Sequence, residues 1–478
     1  MSQKQSPAQP KSVLRGHRAQ VHVTEFVRQN RRLASGDADG FIALWDLTIM
    51  RPRAVWRAHT SAILGIAGWG DDRIITEGRD NRLIVWKLAE ADEAALSTAL
   101  PLDGDAAAVE RPQPWVLHIL EINTMNFCSF APCAARPEHD NGDNGDTVSE
   151  ELLVAVPNTL ATEAVDIYHL PTQRRQHTVH LGSKTEKKGM VMALSLFWAR
   201  GRLVLAAGYE NGLAIVARRR RRSASWDLVY RAQAHSQPIL SLGVAPGARD
   251  YFLTSGADAI VAKHPVPPAQ DDDDDNGGGG GAKPAAIAGE EHAAESSASA
   301  TGRPNPSLLS AALSSASASA STSRPAKRTA AAPVEAAAAQ PLQILNTKHA
   351  GQQGLKIRSD GRVFATAGWD SKVRVYSCRT LAELAVLKWH GVGCYAVAFA
   401  AVSTPAAGAD MDAGKGRNEE DREGEEAKEK GTSTTTAVVP SGLSGQLSVK
   451  ERRIRMAKEA HWLAAGSKDG KISLWDVY

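Results

Sequence analysis

The stretch GDADGFIALWDL, Gly36 to Leu47, places three carboxylates, Asp37, Asp39 and Asp46, within ten residues of one another. An acidic hydrolase or a metal centre needs carboxylates that converge on one point at a few ångströms. This stretch reads instead as the end of a strand, a tight turn and a second strand. Asp39 then belongs to the turn and Asp46 to the far end of the following strand, so the three do not converge.

The same internal order returns along the chain. AAGSKDGKISLWD ends at Asp476, with Asp469 in the turn and Trp475 in the strand. Weaker copies carry Asp80 before Trp86, Asp370 before Tyr376, Asp258 before His264, and Asn211 before Val216. In five of the six copies the aspartate stands six residues before the ring. A histidine precedes five of the units: His17, His59, His235, His349 and His390. From His17 to Trp45 is 28 positions, from His59 to Trp86 is 27, and from His349 to Tyr376 is 27.

A fixed repeat of strand, turn and strand means stacked units that bury their faces against one another. These residues resemble the WD40 repeat, whose units run from Gly-His to Trp-Asp; Arg15-Gly16-His17 with Trp45-Asp46 is the nearest match. The resemblance implies an all-β fold, a seven-bladed WD40 β-propeller. Blades one and two are counted around His17 and His59, blade three from Asn123 to Tyr168, blade four from Met190 to Val216, and blades five to seven from His235, His349 and His390.

Blade seven is interrupted, with His390 and Trp475 lying 85 positions apart, but omitting residues 402–458 restores a separation of 28. The chain then stops at the close of a third strand. The orphan segment from Lys11 to Gly16 supplies the missing fourth strand and closes the ring. Residues 1–10 are expected to be a disordered N-terminus, and 11–478 a single propeller with low-complexity insertions at about 89–112, 132–149, 266–341 and 402–458. All fall between first and second or between third and fourth strands, a placement that leaves the opposite face clear for a partner.

Composition narrows the function. Fifty-six basic against 53 acidic residues give a net charge of +3, too little for a whole-protein footprint on nucleic acid or an anionic membrane. The polar N-terminus and the lack of a long apolar run predict a soluble, non-secreted protein that does not enter a membrane. Cys128, Cys133, Cys378 and Cys394 show neither zinc-ligand nor disulfide spacing and read as small buried apolar residues of a protein in a reducing compartment. No cofactor is expected.

In repeats of the resembled kind the turn aspartate accepts a hydrogen bond from the histidine, which links onward to a strand Ser or Thr and to the tryptophan. Unit one has the full set: His17, Ser35, Asp39 and Trp45. The corresponding residues elsewhere are His59, Asp80 and Trp86; His235, Ser255 and Asp258; His349 and Asp370; and His390, Asp469 and Trp475. Some units are incomplete: Ala367 and Tyr376 stand for Ser and Trp in unit six, Ala465 for Ser in unit seven, and Asn123 for histidine in unit three. The run Arg218, Arg219, Arg220, Arg221 and Arg222 is a candidate nuclear-import signal or phosphate-binding patch, set against a solvated hairpin loop. No aromatic interleaving or recognition fold accompanies it. Asp271 to Asp275 reads as a solubilising linker, and the mixed run 418–430 as a short helix.

Several stretches go beyond generic repeat patterning: PKSVLRGHRAQVH (10–22), SGDADGFIALWDLTIMRPRAVWRAHTSAILGIAGWG (35–70), ILEINTMNFCSFA (119–131) and GADAIVAKHPVP (256–267). Together they resemble the fungal ASTRA-associated protein 1 family. That resemblance implies a non-enzymatic scaffold subunit of the ASTRA complex, linked to chromatin remodelling and to maturation of phosphatidylinositol-kinase-related kinases with their cochaperones. Its implied partners are those kinases, the cochaperones and remodelling ATPases, and its implied location is the nucleus, with the cytoplasm also open. A different reading is a WD40 adaptor of another assembly, such as a ubiquitin ligase substrate receptor. The Arg that usually follows Trp-Asp in such adaptors is missing after both Trp45-Asp46 and Trp475-Asp476.

Overall fold

The structure, a computed structural model, describes residues 8–102, 110–124, 128–137, 149–182, 187–221, 223–268, 339–402 and 448–477. Seven four-stranded antiparallel sheets form a seven-bladed β-propeller. Blade one is β2 (Val21–Val27), β3 (Arg32–Asp37), β4 (Phe41–Asp46) and β5 (Arg51–Arg57). Blade two is β6 (Ile63–Trp69), β7 (Arg73–Gly78), β8 (Arg82–Lys87) and β9 (Trp115–Glu121). Blade three is β10 (Ala131–Ala134), β11 (Leu152–Pro157), β12 (Ala164–Leu170) and β13 (Arg174–His180). Blade four is β14 (Val191–Ala199), β15 (Arg202–Tyr209), β16 (Leu213–Arg219) and β17 (Trp226–Gln233). Blade five is β18 (Ile239–Val244), β19 (Tyr251–Gly256), β20 (Ile260–Pro265) and β21 (Gln343–Asn346). Blade six is β22 (Gln352–Ile357), β23 (Val363–Gly368), β24 (Val373–Ser377) and β25 (Glu383–Leu387). Blade seven joins β26 (Cys394–Phe399), β27 (Trp462–Ser467) and β28 (Lys471–Asp476) to the N-terminal β1 (Ser12–Arg15). All these strands belong to one compact unit, Met1–Ala269 with Val334–Tyr478; the other unit, Gln270–Pro333, lies outside the described residues.

Burial explains why GDADGFIALWDL reads as a strand without an apolar–polar alternation. Both middle strands of blade one, β3 and β4, are buried throughout, because each of their faces meets a neighbouring blade. The period of two survives as a choice of neighbour. Ile42 and Leu44 pack with Trp56, Ile63, Ile84 and Trp86 of the blade one and two core, while Ala43 and Trp45 pack with Leu14 and Leu474 toward blade seven. Fully burying side chains of this size stabilises by about 1.5–3 kcal/mol each.

The ring closes where the sequence indicates. β1 pairs antiparallel with β28, from Ser12 opposite Leu474 to Arg15 opposite Lys471, and the Lys11 N–H donates to the Leu474 carbonyl at 2.8 Å. Leu14 on β1 is buried in the core shared by blades seven and one.

Two insertions differ from expectation. Residues 89–102 and 110–112 are ordered and carry a 3-10 helix, Glu90–Ala95. Glu93 is buried beneath blade one, where Arg28 and Arg32 both bind its carboxylate, the latter at 3.0 and 3.1 Å. Farther along, the Leu102 N–H donates to the Gly16 carbonyl at 3.0 Å. The segment is therefore a strap across blade one: its Ala-rich composition hides one acidic side chain that two arginines hold. At the other interruption, 449–459 is a helix, α1 (Val449–Glu459), rather than low-complexity chain, with Ser448 and Glu451 forming a capping box. Ala457 is buried, and its carbonyl accepts from Trp462 Nε1 at 3.2 Å. Blade three starts later than expected, since Asn123 precedes β10 and the expected 132–149 insertion gives up residues 132–134 to that strand. Met1 to Pro7, Asp271 to Asp275, the 418–430 run and Arg222 lie outside the described residues.

Candidate functional site

In an antiparallel four-stranded blade, the first-to-second and third-to-fourth connections leave from one side, and the other connections from the opposite side. The long segments outside the described residues, 103–109, 138–148, 269–338 and 403–447, all belong to the first class. The opposite face is built from the turns between second and third strands and the loops that carry the recurring histidines.

In blade one a chain of hydrogen bonds runs from strand to loop. Trp45 Nε1–H donates to Ser35 Oγ at 2.8 Å, Ser35 Oγ meets His17 Nε2 at 2.7 Å, and His17 Nδ1 meets an Asp37 oxygen at 2.7 Å. A proton on Nδ1 leaves Nε2 to accept from the serine and satisfies every member. The carboxylate is Asp37, not the Asp39 that the resemblance to the repeat implies. Asp37 is fully buried, and its second oxygen accepts the N–H groups of Asp39 and Phe41, at 3.0 and 2.9 Å. Asp39 is exposed.

The last position of the second strand decides this. Blade two has Gly78 there, and a Cβ on Gly78 would sit 2.3 Å from His59 Nδ1. A side chain at that position therefore points at the histidine, so Asp37 delivers its carboxylate first. With glycine in the position, the residue two places on takes the role. Asp80 Oδ1 meets His59 Nδ1 at 2.9 Å while Oδ2 accepts from the Thr60 N–H at 3.0 Å. Burial alone would raise the Asp80 pKa, but these bonds bring it down to about 2. Thr76 completes the chain, 2.8 Å from His59 Nε2 and 2.9 Å from Trp86 Nε1.

Blade five makes the chain without tryptophan. His235 Nδ1 lies 2.9 Å from Asp258 and its Nε2 lies 2.8 Å from Thr254 Oγ1. The hydroxyl is that of Thr254, not Ser255, because neighbours on a strand face opposite blades. His264 Nε2 occupies the tryptophan's place, 2.9 Å from Thr254 Oγ1, and its Nδ1 lies 2.9 Å from the Tyr230 hydroxyl. Burial lowers the His264 pKa to about 3, which keeps the ring neutral.

In blade seven the hydroxyl crosses the ladder. Ala465 stands opposite Ser473, and Ser473 Oγ lies 2.8 Å from His390 Nε2 and accepts from Trp475 Nε1 at 2.8 Å. Asp469 binds Lys471 at 2.6 Å, and His390, desolvated, has its pKa lowered to about 4. In blade six His349 is partly exposed and 3.6 Å from Asp370, whose carboxylate binds Arg374 at 2.6 Å. Gln352 serves there instead, accepting from Thr366 Oγ1 at 2.7 Å. In blade three Asn123 Nδ2 donates to the Asn158 carbonyl at 2.9 Å.

Two features escaped the sequence reading. Glu77, on β7, is fully buried with one oxygen accepting the Phe130 N–H at 2.7 Å and the other unpaired; burial drives its pKa up to about 8. Trp369, in the β23–β24 turn, is 48 % exposed on the histidine-loop face, its Nε1 bonded to Gln353 at 2.7 Å. Its indole lies over Gly351, at φ +77°, where a Cβ would approach to 2.2 Å. Val392 is 40 % exposed in the loop beside it, where Gly393 meets the Trp369 backbone.

The arginine run does not form one continuous basic surface. Arg218 is buried and donates to the carbonyls of Pro267 and Pro268, while Arg220 Nε binds Asp227 at 2.7 Å. Among the described residues no group of three or more His, Cys, Asp or Glu could hold a metal ion.

A sequence model of the ASTRA-associated protein 1 family matches residues 10–475. The ASTRA-associated protein 1 of Pyricularia oryzae is 51 % identical over 99 % of this chain and 98 % of its own length. That of Verticillium alfalfae is 48 % identical over 98 % of this chain and 93 % of its own. The Schizosaccharomyces pombe protein of the same name is 31 % identical over 82 % of this chain and 93 % of its own.

Proposed function

Because the chain belongs to the ASTRA-associated protein 1 family, we propose that it is a non-enzymatic scaffold subunit of the ASTRA assembly. It holds partner subunits on the histidine-loop face of the propeller. The work of that assembly, in this reading, is nuclear: chromatin remodelling, and maturation of phosphatidylinositol-kinase-related kinases together with their cochaperones. The observation that carries the docking surface is Trp369, a large aromatic left half in solvent on the side free of long insertions. Tryptophan is the residue type that most often anchors an interface, because it brings apolar area at little cost in side-chain entropy. The indole is seated over Gly351 and its Nε1–H is held by Gln353, both at the start of blade six, so the anchor is fixed in place.

The test is affinity capture of tagged full-length protein from cells, with and without Trp369→Ala. Wild type is expected to recover kinase-family proteins, their cochaperones or remodelling ATPases. The variant should keep the wild-type melting temperature and lose affinity by about thirtyfold, the ratio that corresponds to about 2 kcal/mol at an anchor residue. Recovery of none of those classes by the wild type removes the proposed role; equal recovery by both proteins moves the interface elsewhere.

A further inference from the structure

The β16–β17 hairpin tip has no part in the scaffold reading. Its base is tied by a hydrogen bond from the Arg220 N–H to the Ser225 carbonyl at 3.0 Å and by the Arg220–Asp227 ion pair. Beyond that tie Arg221, Ser223, Ala224 and Ser225 are exposed, and the two serine hydroxyls lie 2.6 Å apart. Arg218 is turned inward under Pro267 and Pro268, so the outer part of the run is what a partner meets. That part sets guanidinium groups three and two residues before an exposed serine. Carboxylates in the substrate groove of a basophilic kinase bind such groups by charge-assisted, often bidentate hydrogen bonds.

We propose that Ser223 is a phosphoacceptor for a basophilic serine/threonine kinase. Ser223 Oγ attacks the γ-phosphorus of Mg·ATP, the bond to the β–γ bridging oxygen breaks to release ADP, and the hydroxyl proton passes to the kinase's catalytic carboxylate. The product carries a charge of about −1.5 to −2 beside Arg220 and Arg221. It competes with Asp227 for Arg220 and offsets the positive charge that the tip exposes. Phosphorylation thereby switches off whatever anion-binding or import-receptor contact the tip makes. Ser225 lacks the arrangement, since the residue two places before it is Ser223 itself. The inference stands independently of the scaffold reading.

The experiment incubates full-length protein with Mg·ATP and the catalytic subunit of a cyclic-nucleotide-dependent protein kinase, read by intact mass and by fragmentation of the modified peptide. One phosphate is expected, on Ser223. Ser223→Ala abolishes it, Ser225→Ala keeps it, and Arg220→Ala with Arg221→Ala slows it by about tenfold or more. Unchanged melting temperatures confirm that the variants are folded. An acid-directed kinase should leave Ser223 unmodified. The proposal is overturned if native protein stays unmodified while the heat-unfolded chain is phosphorylated at Ser223, if the phosphate lands on Ser225 alone, or if the double arginine variant reacts at the wild-type rate.

Discussion

Asp37 and Asp39 carry the same carboxylate two residues apart, yet only Asp37 is buried against a histidine. Asp37→Ala would leave His17 Nδ1 and two backbone N–H groups without their acceptor, which costs about 1–3 kcal/mol. Asp39→Ala removes an exposed side chain and should stay within about 0.5 kcal/mol of wild type. Urea unfolding of both variants checks this, and a larger loss at Asp39 would contradict the geometry. Asp46, the third carboxylate, caps its own turn, accepting from the Thr48 N–H at 2.8 Å and its hydroxyl at 2.6 Å. The histidine, the hydroxyl and the tryptophan of unit one were legible through the resemblance to the WD40 repeat. The choice of aspartate was not, because spacing counts residues and takes no account of the direction in which a Cβ leaves the strand end.

At the scale of strands, Glu77 marks a seam built differently from the one between blades one and two. Its counterpart on β3 is Gly36, where a Cβ would come within 2.6 Å of Ile63 on the next blade's first strand. Blade three's first strand is short, Ala131–Ala134, and residues 128–130 lead into it from outside its ladder with β11. The Glu77 carboxyl occupies that seam and takes the Phe130 N–H. A carboxyl with a folded pKa near 8 and an ordinary value of 4.5 binds more protons folded than unfolded between those pH values. Its contribution is therefore full below about 4.5, is withdrawn as pH rises from there through 8, and is constant above that, a loss of about a few kcal/mol. His264, with a folded pKa near 3, acts in the opposite sense. It binds fewer protons folded, so its contribution is full above its ordinary value of 6.5 and declines as pH falls toward 3. Thermal melts from pH 5 to 9 should show a fall in stability between pH 5 and 8 in wild type that is flattened in Glu77→Gln; an identical fall in both would place the titration elsewhere. The element boundaries near this seam were the least legible, because Glu in ITEGRD looks like any solvent-facing strand residue until its neighbouring blade is in place.

For the whole molecule, closure depends on β1, whose four residues join the first part of the chain to the last. Deleting residues 8–16 removes the outer strand of blade seven, the buried Leu14 and the Gly16 carbonyl that holds the strap. Each lost hydrogen bond costs about 1 kcal/mol and the leucine about 2–3 kcal/mol. The melting temperature should fall further than after removal of 271–332 or 404–446, measured by scanning calorimetry on each deletion. A smaller fall would mean that the ring holds without its closing strand.

The sequence by itself determined the number of blades, the N-terminal closure and the side from which the long insertions leave. Repeat spacing and strand alternation are local, and a one-residue slip would turn every side chain of a strand toward the wrong neighbouring blade. Tertiary structure alone decided which aspartate and which hydroxyl complete each histidine chain, as with Asp37, Thr254 and Ser473. It alone made the 89–102 segment a strap, placed Glu77 in a buried seam and left Trp369 half in solvent. These are contacts between residues distant in sequence. Their energies depend on side-chain direction and on the neighbouring blade, neither of which a linear pattern contains.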